Sequence, residues 1–168
     1  RVGIILVGHE DTGLPVSGWQ VWQMAGDERI KLLKNYLAGR NCRQIALTRP
    51  PGGRPCAIEG IRELECEADI ARIHEAVAGG GFDALILDNA IIGGIDNRLT
   101  IQQNLGIPED VEVALADRNC FDEAMIRRNA SVFFPYRETA RRMLIALTTG
   151  RYQPFRCHIN PKFQGKSI

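Results

Sequence analysis

The sequence predicts an α/β fold in which a mainly parallel sheet is sandwiched between helices. Two observations carry this. Short apolar runs, bounded by polar or glycine-rich stretches, alternate with segments of helical periodicity along the chain. Strands separated by helices pair in parallel, because each helix returns the chain to the same end of the sheet and covers one of its faces.

Val2-Gly3-Ile4-Ile5-Leu6-Val7 is rich in β-branched residues, ends at Gly8 and reads as a buried strand. His9 to Met24 holds Asp11, Gly13, Pro15 and Gly18 around Val16 and two tryptophans, which predicts a loop and one short strand. Asp27 to Ala38 is a helix: Ile30, Leu33 and Leu37 form one stripe, Asp27 and Glu28 suit the positive end, and Gly39 reads as the C-terminal cap. Gln44 to Thr48 is the next strand, and Arg49-Pro50-Pro51-Gly52-Gly53 a turn.

Glu67 to Ala78 is a helix with Ile70, Ile73 and Val77 inward, stopped by Gly79-Gly80-Gly81 before the strand Phe82 to Leu87. Asn89 to Asn104 carries Ile92, Ile95 and Leu99 at helical spacing, with Gly93 and Gly94 each weakening a helix by roughly 1 kcal/mol. Val111 to Ala116 and Ser131 to Phe134 are strands. Glu138 to Thr148 is a helix with Ala140, Met143, Leu144 and Leu147 inward. The expected core includes Ile45, Leu85, Leu87, Val113 and Leu115.

The 168 residues are enough for one ordinary domain, and 45% hydrophobic with 24% charged is a soluble, globular composition. A net charge of +1 announces neither a nucleic-acid surface nor an acidic tail. Arg127-Arg128 and Arg141-Arg142 are too short for a DNA footprint. No run approaches a membrane span, so no membrane partner is expected. The chain opens on Arg1 and enters a strand without a signal peptide, as a processed form or part of a longer protein would. Cys42, Cys56, Cys66, Cys120 and Cys157 are scattered without a Cys-x-x-Cys pair, which reads as reduced thiols in a cytoplasmic protein.

Ligands of open parallel sheets bind beyond the carboxyl ends of the strands, so the residues just after each strand matter most. Gly8 to Gly13 has the glycine spacing of a phosphate loop. Leu14 and Pro15 stand where lysine and a hydroxyl residue are needed, which argues against a nucleotide reading. Gly165-Lys166-Ser167 has those letters but no upstream glycine.

The turn from Arg49 to Arg54 supplies backbone N–H groups and two guanidinium groups. Arg54 is either a fork for a hydroxyl or carboxylate or an exposed turn residue. Asp88 and Asp117 follow neighbouring strands. As carboxylates they suit polyol hydroxyls, while Asp88 or Asn89 serves equally well as a helix cap. Trp19 and Trp22 fit either a sugar-stacking pair or a hydrophobic seal. His9, His74 and His158 share no ligand spacing, so no metal is expected. No nucleophile arrangement appears, and neither catalytic residues nor a cofactor is expected.

The last third of the chain, taken as one ordered series, carries a resemblance. It runs Ile107-Pro108-Glu109-Asp110-Val111, a strand ending at Asp117, Pro135-Tyr136-Arg137-Glu138-Thr139-Ala140-Arg141-Arg142-Met143-Leu144, then His158-Ile159-Asn160-Pro161-Lys162-Phe163. Upstream, Leu14-Pro15-Val16, the stretch Gly39 to Leu47, Gly60-Ile61-Arg62-Glu63 and Phe82 to Ile95 follow in the same register. The series resembles the C-terminal part of the effector-binding domain of LacI/GalR-type transcriptional regulators.

The resemblance implies a periplasmic-binding-protein-like fold with an incomplete first subdomain. Residues 1–38 would be a remnant of that subdomain, 39–155 the effector-binding subdomain, and 156–168 a return strand and tail. It implies a cytoplasmic homodimer that senses a sugar or related metabolite and reaches DNA only through a helix-turn-helix absent from this chain. Asp88, Asn89, Asp117 and Arg54 would contact the effector. Gly60 to Glu63 looks like the family's Gly-Phe-x-x-Ala helix.

There are departures. Ala57 stands where the family has an effector-binding arginine, Leu87 where it has asparagine, and Leu115-Ala116 where Gly-Phe precedes the aspartate. The stretch from Arg62 to Phe82 is short by about one strand–helix connection. A solute-binding protein of the same fold serving a transporter and a small α/β enzyme are the rival readings.

Overall fold

The computed structural model describes residues 5–8, 20–24, 26–53, 55–88, 96, 98–117, 123–149 and 155–166. In order these form β1 (Ile5–Gly8), β2 (Gln20–Met24), α1 (Gly26–Gly39), β3 (Ile45–Arg49), β4 (Ile61–Glu65), α2 (Ile70–Val77) and β5 (Ala84–Leu87). There follow α3 (Ile101–Leu105), β6 (Glu112–Leu115), α4 (Glu123–Arg128), β7 (Ala130–Phe133), α5 (Tyr136–Thr148), β8 (Phe155–Ile159) and β9 (Lys162–Gln164).

The chain divides into two compact units. The first comprises Arg1–Glu28 with Phe134–Lys162, and its sheet has the order β1-β2-β8, parallel throughout. The second comprises Arg29–Phe133 with Phe163–Ile168, and the six-stranded sheet has the order β4-β3-β5-β6-β7-β9. From β4 through β7 every pairing is parallel. The mainly parallel α/β architecture expected from the sequence is what the chain adopts.

The second unit's sheet is covered on both faces, so its central strands are apolar on both sides. All of β5 is buried. Leu85 and Leu87 pack with Val113, Leu115, Ile73, Val77, Ile101 and Leu105 on the α2–α3 side. Ala84 and Ile86 pack with Ile45, Leu47 and Ala114 under Ile30, Leu33 and Leu37 of α1. The five residues expected in the core are 0–4% exposed. Burying a leucine of this kind contributes roughly 1.5–3 kcal/mol.

Local chemistry fixes the helix ends. Asp69 caps α2, its carboxylate accepting from the Ala71 N–H at 2.9 Å. Thr100 and Gln103 form a reciprocal capping box at the start of α3, and Gly106 closes it at φ +62°.

Four expectations need correction. Gly60 to Glu63 leads into strand β4, in register with β3, and not into a helix. β4 is an edge strand whose Arg62 and Glu65 are exposed, so its apolar pattern is weak. Among the described residues no helix occurs between β3 and β4, while α2 lies between β4 and β5.

Gly39 is the last residue of α1, not its cap. Asn41 takes the left-handed turn at φ +66°. Leu99 is exposed and precedes the Thr100 cap, so it is not part of a continuous helix to Asn104. Ile92 and Ile95 lie outside the described residues. In α5, Ala140, Leu144 and Leu147 are exposed where an inward stripe was expected.

Candidate ligand-binding site

The parallel strands of the second unit all end on one side, and the two aspartates stand there. The Ala116 N–H continues the pairing by donating to the Leu87 carbonyl at 2.9 Å, so Asp88 and Asp117 follow adjacent strand ends. They are close enough to interact. Burial pushes the Asp88 carboxyl up to about 6, Arg29 opposes this, and the charge of Asp117 adds to it.

Arg29 was not anticipated. α1 leads into β3, so its first turn lies at the carboxyl ends of the strands, and Arg29 immediately precedes the buried Ile30. Its Nη1 lies 2.7 Å from Asp88 Oδ1, with the two side chains only 18% and 17% exposed. The ion pair is close but not aligned as a hydrogen bond. Arg29 Nε and Asp88 Oδ1 are buried without a hydrogen-bond partner.

Thr48 is the second residue missed. It is fully buried at the end of β3, and its hydroxyl accepts the Asp88 N–H at 3.1 Å, fixing the backbone beneath that carboxylate. A polar residue closing the run Ile45-Ala46-Leu47 was the signal available in the sequence. For Arg29 there was none, since an arginine in a first helical turn is ordinarily solvated.

The turn after β3 does not offer the free groups expected of it. Arg49 pairs with Glu63 at 2.5 Å and Glu65 at 2.8 Å, and donates to the Gly53 carbonyl. The Gly52 N–H donates to Glu65 at 3.3 Å, the Cys56 N–H to Glu63 at 2.8 Å, and the Gly53 N–H to the Pro50 carbonyl at 3.1 Å. The turn is held internally by β4. Of its two guanidinium groups, the described one, Arg49, is committed to structure.

The structure thus brings together Asp88 and Asp117. Asn89 and Arg54 lie outside the described residues, as do Trp19, His9, Leu14, Pro15 and the Trp22 and His158 side chains. Asp88 is engaged by Arg29, and the next described helix, α3, is capped by Thr100. His74 is exposed, its ring beside Gly106. Among the described residues no cluster of His, Cys, Asp or Glu could hold a metal. No helix among them is long and apolar enough to cross a membrane. Two carboxylates on neighbouring strand ends, with the Arg29 guanidinium of α1 beside them, can together accept from and donate to ligand hydroxyls.

No protein-family model and no curated protein matches the sequence. Solved structures do. A LacI family transcriptional regulator from Arthrobacter sp. FB24 in complex with lactose superposes with a TM-score of 0.68 at 17% identity, over 95% of this chain and 67% of that one. The transcriptional regulator CelR in its cellobiose complex gives 0.63 at 16% identity, over 96% of this chain and 64% of that one. A LacI family regulator from Enterococcus faecium with bound ribose gives 0.65 at 11% identity, over 97% and 70%. The chain spans about two thirds of the length of these structures. The chain has the fold of the periplasmic-binding-protein-like, effector-binding part of LacI-family transcriptional regulators.

Proposed function

We propose that this chain is the sensing part of a LacI/GalR-type transcriptional regulator and that its effector is a sugar or a related polyol. The observation that carries this reading is the placement of Asp88 and Asp117 on adjacent carboxyl ends of a parallel sheet. Carboxylates accept from paired hydroxyls, and strand ends are where this class of sheet takes ligands. The compared structures hold cellobiose, lactose and ribose, which points to the same ligand chemistry.

Sensing is binding without chemistry. An effector shifts such a protein between conformations only by its difference in affinity for them, and in a regulator that difference is passed to DNA binding. Dimerisation belongs to the same reading. So does a cytoplasmic setting, which agrees with Cys42 remaining a thiol.

Calorimetry with cellobiose, lactose, ribose and a set of nucleosides tests it. A sugar should bind, and Asp117→Ala should weaken it by about 1–3 kcal/mol, the cost of losing a charged hydrogen-bond partner. No heat with any sugar would remove sugar sensing. Unchanged affinity in the variant would remove Asp117 from the site.

A further inference from the structure

We propose that Arg29 is the positioning residue of this site: it holds Asp88 as an aimed carboxylate, and so selects a neutral polyol over an anionic ligand. This rests on the reading of Asp88 and Asp117 as effector contacts.

Among the described residues, three elements face Asp88. From α1 comes Arg29, 2.7 Å from Oδ1; from the end of β6 comes Asp117; from β3 comes only the neutral Thr48 hydroxyl. Arg29 is thus the one cation acting on Asp88 among the described residues, set against both burial and a second negative charge. Without it both remaining influences favour the protonated acid, which loses acceptor capacity. With it, Asp88 can accept from hydroxyls near neutral pH.

The pair also leaves hydrogen-bonding capacity open. Beyond the ion contact, Arg29 Nε and Asp88 Oδ1 have no hydrogen-bond partner among the described residues, and buried polar groups without one call for an explanation. One ligand hydroxyl can satisfy both, donating to Oδ1 and accepting from Nε. Thr48 keeps the Asp88 backbone fixed while this happens.

Ligand charge follows from the same arrangement. Among the described residues Arg29 is committed to Asp88, and Asp117 stands beside that carboxylate, so a sugar acid or phosphate there meets negative charge whose cation is already engaged.

The test uses the full chain, labelled with carboxyl-13C aspartate, with the Asp88 signal assigned through Asp88→Asn. Its NMR titration is followed in the parent, Arg29→Gln and Arg29→Lys, alongside calorimetry with ribose, lactose and cellobiose across the acid-to-neutral range. Circular dichroism confirms that each variant folds. In Arg29→Gln the Asp88 midpoint should rise by about 1–3 pH units, with sugar affinity at neutral pH falling at least tenfold. Arg29→Lys, which keeps the charge, should leave the midpoint near the parent's.

An unmoved midpoint in Arg29→Gln overturns the role of Arg29. So does equal sugar affinity in the parent and Arg29→Gln, even if Asp117→Ala abolishes binding and the effector site therefore stands. Tighter binding of ribose 5-phosphate than of ribose overturns the neutral-ligand selection. If no sugar binds the parent while Arg29→Gln shifts the midpoint, the effector reading fails. The polyol selection fails with it.

Discussion

Gln44 and Asp83 hold one another at the start of β3 and β5. The Gln44 N–H donates to the Asp83 carboxylate at 2.9 Å, the Asp83 N–H donates back to the Gln44 carbonyl at 2.9 Å, and the Arg43 N–H takes the other carboxylate oxygen at 2.8 Å. This clamp aligns two neighbouring strands before their apolar stretches begin. Asp83→Ala should therefore lower the unfolding free energy by about 1–3 kcal/mol in urea titrations. Asp83→Asn keeps one acceptor oxygen and should lose roughly half as much. An alanine variant as stable as the parent would show that the clamp does not hold the strands.

Stability should depend on pH through Asp88. Its carboxyl lies at about 6, above the ordinary 3.8, because burial and Asp117 outweigh Arg29. The folded state therefore binds this proton more tightly than the unfolded chain does. Its favourable contribution is complete below the ordinary value and is lost as pH rises through about 6. The difference corresponds to about 3 kcal/mol. Asp88→Asn cannot titrate, so its stability relative to the parent should grow across that window. Parallel pH profiles for the two proteins would rule this out.

Gly106 is held by both its backbone and its neighbour. It closes α3 at φ +62°, and a Cβ there would come within 2.8 Å of His74 Nε2. The imidazole can turn away, since it is the far end of an exposed side chain, but the left-handed backbone remains costly for alanine. Gly106→Ala should destabilise by about 1–2 kcal/mol. His74→Ala in that background should recover only the steric part. Full recovery in the double variant would place the whole cost on His74.

The sheet was legible because its centre is apolar on both faces. Runs such as Ala84-Leu85-Ile86-Leu87 leave little choice but a strand between two helical layers. β4 was not, because an edge strand carries Arg62, Glu63 and Glu65 among only two large apolar residues. Its partner, not its pattern, makes it a strand. In the Asn89 to Asn104 segment the apolar spacing suggests one helix, while Thr100 and Gln103 spell out a capping box that begins a helix at Ile101.

The candidate site divides the same way. Asp88 and Asp117 could be placed together from the strand-end rule, since parallel strands end on one side. Arg29 could not. It meets Asp88 only because α1 packs back across the sheet, a tertiary fact with no trace in local spacing. Nor could the inward turn of Arg49, which depends on the β4 carboxylates being in register with β3.

Self-association is the last expectation, and two surfaces of the first unit offer themselves for it. Tyr136, Ala140, Leu144 and Leu147 recur on one face of α5, all exposed, with Leu144 61% exposed. In the same unit β1 lies at the edge of the three-stranded sheet, where its outer backbone groups can pair with another strand. Burying the two leucines would contribute about 3–6 kcal/mol. A micromolar dimer requires about 8 kcal/mol, so the leucines need help from the sheet edge or further apolar contact. The chain should therefore form a dimer or larger assembly at micromolar concentration by light scattering. Leu144→Glu with Leu147→Glu should return it to monomer while circular dichroism stays unchanged. A parent protein that is monomeric throughout that range would show that neither surface pairs with a second copy. A parent dimer that survives the double substitution would move the contact off α5.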